Sequence, residues 1–447
     1  MRKIDMTTGN PAKKIMLFSL PILIGNIFQQ LYSLSDTLVV GQFLGKEALA
    51  AVGASSALVI LIQSIIFGLC MGSSVLFARL HASKDTVNLS KSISTAFIFI
   101  MSFSVVLSLL LFLLLNPILR LFQIPSDAFS EARDYLRIVI IGLPFYSLYN
   151  MGASLLRSTG DSKTPLYFLI VSTLINIVLD FILVIYTPLG VKGPALSTLL
   201  AYVLSSLPLL WIMKKEFKHL KLKLVFDVLL FKTIWSYAFL TSLQQSIMNF
   251  GILMVQGLVN SFGVLVMAAF AIGVKIDQFA YMPLQDFGNA FSIYVSQNKG
   301  VKQYKRIHQG FKSALLISSV FSSLITGLVF IFSKDLIHIF TNDNEVISIG
   351  ITYLRTEGLF YFLIGYLFIF YGLYRGLGKM STSIVLTVTS LGLRVLIAYL
   401  LVFILKDYKA IWFSIPIGWF LADLLGFVIY EKNKLSLQNE LNEGIAY

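Results

Sequence analysis

Twelve stretches of this chain are each long and apolar enough to cross a bilayer, which needs about 20 residues of helix. They fall near residues 15–40, 48–78, 92–116, 132–156, 164–186, 194–213, 232–258, 264–295, 310–332, 347–373, 381–405 and 410–430. In hydrocarbon every backbone polar group must be satisfied within the protein, so runs of this length fold as helices. The expected fold is therefore all-α and polytopic, with twelve transmembrane helices. Composition closes the alternative of a water-soluble globule. Only 13% of the 447 residues are charged, 57% are hydrophobic, and the mean hydropathy is +0.82. A soluble domain carries about 25% charge.

The net charge of +13 is a statement about topology rather than about nucleic acid. Lys and Arg gather at the N-terminus and in alternate loops, "RLHASKD", "RSTGDSK", "KKEFKHLKLK", "KGVKQYKR" and "RGLGK". Basic loops favour the cytoplasmic side, so both termini are expected on the cytoplasmic side of the membrane. Arg2, Lys3, Lys13 and Lys14 precede a long helix rather than a cleavable leader. Cys70 is the one cysteine, and the four histidines show no metal-ligand spacing, so no disulfide, zinc site or cofactor is expected.

The chain repeats itself. At an offset of 218, Tyr135-Leu136-Arg137 falls on Tyr353-Leu354-Arg355, Arg157 on Arg375 and Gly160 on Gly378; at 216, Gln29 falls on Gln245, Gly41 on Gly257 and Gly72 on Gly288. Six spans per half make the repeats parallel. The expected domains are an N-lobe, 1–213, a basic linker, 214–231, and a C-lobe, 232–447.

Charged residues inside spans are functional candidates by default. In "LINIVLDFILV" Asn176 and Asp180 stack one turn apart. Asp36 lies in "QQLYSLSDTLVVG", with Gln29 two turns below it on the same face. Thr198 sits one turn into the sixth span. Asn176 falls on Arg394 and Asp180 on Ala398 in the repeat, so the carboxylate pair belongs to one lobe. The plain alternative is a structural hydrogen bond or an interfacial position. The second half carries Lys275, Asp277 and Asp286 in span eight, Glu357 in span ten, Arg394 in span eleven and Asp423 in span twelve. Buried ion pairs that hold helices together explain these as well as function does. Glu357 and Arg394 reach similar depths and are expected to pair, directly or through water. Pro21 shares a helix with Asp36 and is expected to let it bend.

The first-helix pattern "SLPILIGNIFQQLYSLSDTLVVGQFLG", the loop "LLRSTGDSKTP", "NIVLD", "GVKGPALST" and "GVKIDQFAYMPLQDFGNA" together resemble the multidrug and toxic compound extrusion (MATE) family, in its prokaryotic DinF-like branch. The resemblance covers essentially the whole chain. It implies two pseudo-symmetric six-helix bundles that alternate between outward-open and inward-open states, and a transporter rather than an enzyme. It also implies an ion-responsive site, matched here by Asp36, Asn176, Asp180, Gln29 and Thr198, with Pro21 fifteen residues before the first Asp. Asp36, Asn176, Asp180 and Thr198 are then the candidates for a weak sodium site. The implied substrate is an amphiphilic, mostly cationic organic compound, exchanged for protons or for sodium by a monomer in contact with membrane lipids. A flippase for a lipid-linked saccharide is the alternative. It calls for a basic cavity, for which Arg394 and Lys275 are the candidates.

Overall fold

The computed structural model describes residues 3–122, 124, 126–220 and 224–442. Lys221 and Lys223 of the basic linker, and residues 443–447 of the C-terminal tail, lie outside them. The described residues form thirteen α-helices and one 3-10 turn, with no strand. In chain order they are α1 (Pro11–Phe43), α2 (Gly45–Ala82), α3 (Thr86–Leu121), α4 (Ser126–Ser158), α5 (Lys163–Ile185), α6 (Lys192–Glu216), the turn Lys218–Leu220, α7 (Val228–Asn260), α8 (Val264–Gly300), α9 (Tyr304–His338), α10 (Asn344–Gly358), α11 (Tyr361–Gly376), α12 (Met380–Leu405) and α13 (Lys409–Asn442).

Ten of these helices are long and apolar enough to span, and α10 with α11 adds an eleventh as a pair bent by 50°. The 33-residue α7 completes the expected twelve. The tenth span was expected as one helix. It breaks after Gly358, where the Phe360 N–H turns back to the Glu357 carbonyl at 2.9 Å. No proline lies at this break, while Pro21, Pro144, Pro208, Pro283 and Pro416 sit inside continuous helices. Several helix starts are capped by an aspartate: Asp85 accepts from Asn88 N at 3.0 Å, Asp161 from Thr164 N at 3.0 Å, and Asp343 from Glu345 N at 2.9 Å.

The repeat is written in the backbone. Positive φ occurs at Gly45 and Gly263 (+86° and +91°), at Lys84 and Lys302 (+59° and +57°), and at Gly160 and Gly378 (+92° and +74°), 218 residues apart each time. The turns around them bond alike: Asp85 N to Leu80 O at 3.1 Å matches Gln303 N to Asn298 O at 2.8 Å, and Asp161 N to Leu156 O at 2.9 Å matches Lys379 N to Tyr374 O at 2.8 Å.

The chain forms two compact units, Met1–Asp5 with Leu17–Ser242, and Met6–Met16 with Leu243–Tyr447. In the first, α2 packs on α4 and on the start of α7. A Cβ on Gly72 would come within 2.4 Å of the Tyr237 carbonyl oxygen. In the second, α8 packs on α11 in the same manner, and a Cβ on Gly288 would meet the Phe368 carbonyl oxygen at 2.5 Å. Small residues let membrane helices approach backbone to backbone. Ahead of α1, Met6 is buried in the second unit; its N–H reaches Gln297 Oε1 at 3.3 Å, and its carbonyl accepts from Asn298 Nδ2 and Arg306 Nη2 at 3.1 Å each.

These contacts yield a first prediction. Gly72→Leu and Gly288→Leu each press a side chain onto backbone that cannot yield, and should destabilise by about 3 kcal/mol or more. Gly53→Ala, where a Cβ meets nothing within 4 Å, should be neutral or slightly stabilising. Thermal melting of the detergent-solubilised variants, followed by size-exclusion chromatography, compares them; equal melting of Gly53→Ala and Gly72→Leu would contradict the packing.

Candidate functional site

In the first unit α5 and α6 bring three of the expected site residues together. Asn176 and Asp180 are fully buried on α5, and Thr198 is buried on α6. With its amide oriented to satisfy both ends, Asn176 donates to Asp180 Oδ2 at 3.3 Å and accepts from the Thr198 backbone N–H at 3.2 Å. Thr198 Oγ1 pairs with the Tyr32 hydroxyl at 2.7 Å, which ties α1 into the network. Ser197 donates to Asp180 Oδ1. The same hydroxyl also reaches the Pro194 carbonyl at 2.9 Å, an alternative acceptor one turn back.

Asp36 lies on α1, four residues after Tyr32, with 7% of its surface exposed. Its Oδ1 is buried without a hydrogen-bond partner. Tyr32, Tyr135, Tyr202 and Asp180 all lie within electrostatic reach of it. Tyr202 in turn accepts from Gln63 Nε2 at 2.7 Å and packs on Tyr146 at 5.4 Å between ring centroids. The orphaned oxygen matters because an unpartnered buried acceptor costs about 1–3 kcal/mol, more when charged. A proton or a small cation would remove that cost. The oxygens of Asp36, Asp180, Asn176 and Thr198 are hard donors of the kind sodium takes. Among the described residues no group of three or more His, Cys, Asp or Glu side chains gathers to hold a metal.

Gln29 stands apart. Its side chain is exposed, and it does not join the hydrogen bonds around Asp180. Sequence spacing put it on the Asp36 face, two turns below, but at that level the face of α1 is uncovered. Tyr32 and Ser197 were not singled out beforehand. Tyr32 had a signal, since it precedes Asp36 by one helical turn.

The second unit builds a different network. Asp277, buried on α8, accepts from the Tyr353 hydroxyl at 2.6 Å and from the Tyr361 hydroxyl. These donors sit on α10 and α11, on either side of the break, so the 50° bend aims both at one carboxylate. Tyr353 is held by its ring: Trp412 and Phe270 flank it at 4.9 and 5.5 Å, and a Cβ on Gly273 would meet it at 2.2 Å. Buried Glu357 lies against Asp277, with Arg394 within electrostatic reach of both. Of the two forms of pairing expected for Glu357 and Arg394, the direct ion pair is absent among the described residues; Arg394 stands within electrostatic reach of Glu357 and Asp277 and in contact with neither. Lys275 is exposed on the opposite side of α8 and is no part of the network, as residues two apart on a helix do not share a face. Asp286 is buried nearby on the same helix, and Asp423 on α13 is buried with both oxygens unpartnered.

The stability of this cluster can be measured. Tyr353→Phe and Tyr361→Phe each remove a donor from Asp277 and should cost about 1–3 kcal/mol. Arg394→Met leaves the carboxyls without a cation and should cost about 3–5 kcal/mol. Lys275→Met should stay within about 0.5 kcal/mol of the parent. Denaturation of the purified variants checks the order; a loss at Lys275 as large as at Arg394 would refute it.

Comparison with known proteins agrees with this architecture. A family model described as MatE matches residues 21–182 and again residues 238–400, so it recognises each half in turn. Over 391 residues the chain is 28% identical to "Probable multidrug resistance protein YpnP" of Bacillus subtilis (strain 168), covering 87% of this chain and 88% of that protein. It is 27% identical over 432 residues to "Probable multidrug resistance protein YoeA" of the same organism, covering 94% and 93%. Its fold is that of the crystal structure of MATE in the bent conformation, with a TM-score of 0.92 at 23% identity over 98% of this chain and 99% of that one.

Proposed function

The chain belongs to the MatE family of membrane transporters, and on that premise we propose that it is a multidrug efflux antiporter. In this reading it exports amphiphilic, mostly cationic organic compounds in exchange for protons, by alternating access between lobes 1–213 and 232–447 that are joined by the 214–231 linker. The naming of its relatives as multidrug resistance proteins supports the substrate class. The observation that carries the coupling is the buried Asp36, with its unpartnered Oδ1, within electrostatic reach of the fully bonded Asp180.

Ionised Asp180 is served by two donors, Ser197 and Asn176. Protonated, it becomes a donor itself. Ser197 can then turn to the Pro194 carbonyl, and the freed segment of α6 and α5 repacks against Tyr32 and α1. Two carboxylates in one apolar site cannot both hold charge cheaply, so a proton binding to the pair changes the local balance most. Pro21, buried in α1, removes one backbone bond and lowers the cost of bending that helix. Cationic substrate and proton then compete for the same acidic lobe. Each must favour one state over the other for the exchange to be coupled. Sodium is the rival ion, and the orphaned Asp36 oxygen suits it also. A lipid-linked-saccharide flippase is the rival activity; it needs a basic cavity, for which Arg394 and Lys275 are the candidates.

Asp36→Asn and Asp180→Asn should each abolish efflux of a fluorescent cation from energised cells, at matched expression and with membrane insertion intact. Asn176→Leu should reduce it less. Full efflux by the double variant Asp36→Asn, Asp180→Asn would end the proposal. Vesicles under an imposed pH or sodium gradient separate the two ions: transport driven by sodium alone would replace the proton. We place both termini, and the Lys214–Lys223 connection, on the cytoplasmic side. Single cysteines in a Cys70-free background, labelled on whole cells with an impermeant reagent, should react at Asp343 and not at Lys214; the reverse pattern would invert the topology.

A further inference from the structure

The connection between α6 and α7 carries lysines that no carboxylate pairs with among the described residues. Lys214, Lys215 and Lys218 are exposed at the end of α6 and in the turn after it, and Lys232 is exposed on the first turns of α7. The two carboxylates of the connection are already taken by lysines from elsewhere in the first unit. Glu216 pairs with Lys3 at 2.5 Å, and Asp227 pairs with Lys91 at 3.4 Å. Asp227 also caps α7 through the N–H groups of Leu229 and Leu230 at 3.0 and 3.1 Å. The Leu230 N–H, aided by Lys91, holds its carboxyl below the usual range, so it stays committed. Phe217 and Leu220 are buried and pin the turn to the bundle, which gives the lysines a fixed base.

On the approach to α7 stands a row of exposed apolar side chains: Leu224 (77% exposed), Val225, Phe226, Val228 and Leu229 (77% exposed). Such a row does not face bulk water in a stable surface. Aromatic rings accompany both segments. Trp211 is exposed at the end of α6 with Lys215 Nζ 5.6 Å over its ring, and Phe226, Phe231, Trp235 and Phe239 stack along α7 at 5.0, 6.2 and 5.3 Å. Tryptophan and tyrosine collect at the headgroup level, and long cationic side chains reach outward from it. α6 is itself one of the apolar spans, so its end meets the bilayer surface.

We propose that the end of α6 and the approach to α7 form an anionic-phospholipid site: Lys214, Lys215, Lys218 and Lys232 bind headgroup phosphates, and Leu224, Val225, Phe226, Val228 and Leu229 enter the acyl boundary. The charge excess selects acidic lipid, and the apolar row selects a bilayer over a soluble anion. The inference depends on α6 being a membrane span and not on the exported compound, so it survives if the efflux reading fails.

The test uses the purified full-length protein in a neutral detergent, titrated with phosphatidylglycerol or phosphatidylcholine while its melting temperature is followed. Phosphatidylglycerol should raise the melting temperature more than phosphatidylcholine. In the triple variant Lys214→Gln, Lys215→Gln, Lys218→Gln the same rise should need about two orders of magnitude more phosphatidylglycerol. An equal loss of charge elsewhere, Lys334→Gln, Lys406→Gln, Lys409→Gln, should leave the response intact. Arginine at the three linker positions should preserve it, which separates lost charge from lost folding. Leu224→Ser with Leu229→Ser should weaken the response to both lipids. An unchanged phosphatidylglycerol response in the glutamine triple overturns the proposal. So does loss of the response in the arginine triple, or an equal rise produced by free glycerol phosphate.

Discussion

A polar group in hydrocarbon must bring its partner with it, and the whole molecule is organised around that requirement. Backbone groups meet it by forming helices. Buried hydroxyls meet it by bonding back to carbonyls of their own turn: Ser55 to Ala51, Ser73 to Leu69 and Ser205 to Ala201, each at 2.7 or 2.8 Å. Glycine then lets such helices come close enough for dispersion to hold them, as at Gly72 against Tyr237 and at Gly288 against Phe368. Against this background the unpartnered buried atoms stand out, and among them are carboxyl oxygens of Asp36, Glu357 and Asp423.

The two units answer the same electrostatic problem differently. The first surrounds Asp180 with neutral donors, Ser197 and Asn176, and leaves Asp36 with no cation near it. The second gives Asp277 two tyrosine hydroxyls and places Arg394 within reach of it and of Glu357. The repeat makes the contrast direct, since Arg394 stands at the position that corresponds to Asn176.

The spans were legible in the sequence because hydropathy over 20 residues is a sum, and a sum tolerates local irregularity. The repeat was legible because turns with positive φ accept few residue types, so glycine recurs at Gly160 and Gly378. The break in the tenth span was not legible: Gly358 is one of 30 glycines, and nothing local distinguishes it from those inside continuous helices. Within the sites, Asn176, Asp180 and Thr198 could be named because amides and carboxylates are rare in apolar segments. The tyrosines that complete both networks could not, because 20 of them are spread over the chain and a phenol is as much at home in apolar packing as in a hydrogen bond. That Gln29 and Lys275 stand on exposed faces was not legible either. Periodicity gives the angle between two residues on a helix, but which angle faces the bundle depends on neighbouring helices.

An antiporter needs one ion-responsive element whose charge is free to change, and the rest of its buried charge must stay quiet. On the proposed reading the first unit supplies that element. An incoming proton at Asp36 or Asp180 meets no fixed cation, so it alters the local charge by its full amount. In the second unit Arg394 already offsets a carboxylate, and the two tyrosine hydroxyls hold Asp277 in place across the bend of α10 and α11. That cluster is better suited to fixing a broken helix than to releasing it. On the proposed reading this contrast supports placing the coupling in the first unit: Asp36 and Asp180 have only neutral partners and each other, whereas Arg394 stands within electrostatic reach of Asp277 and Glu357.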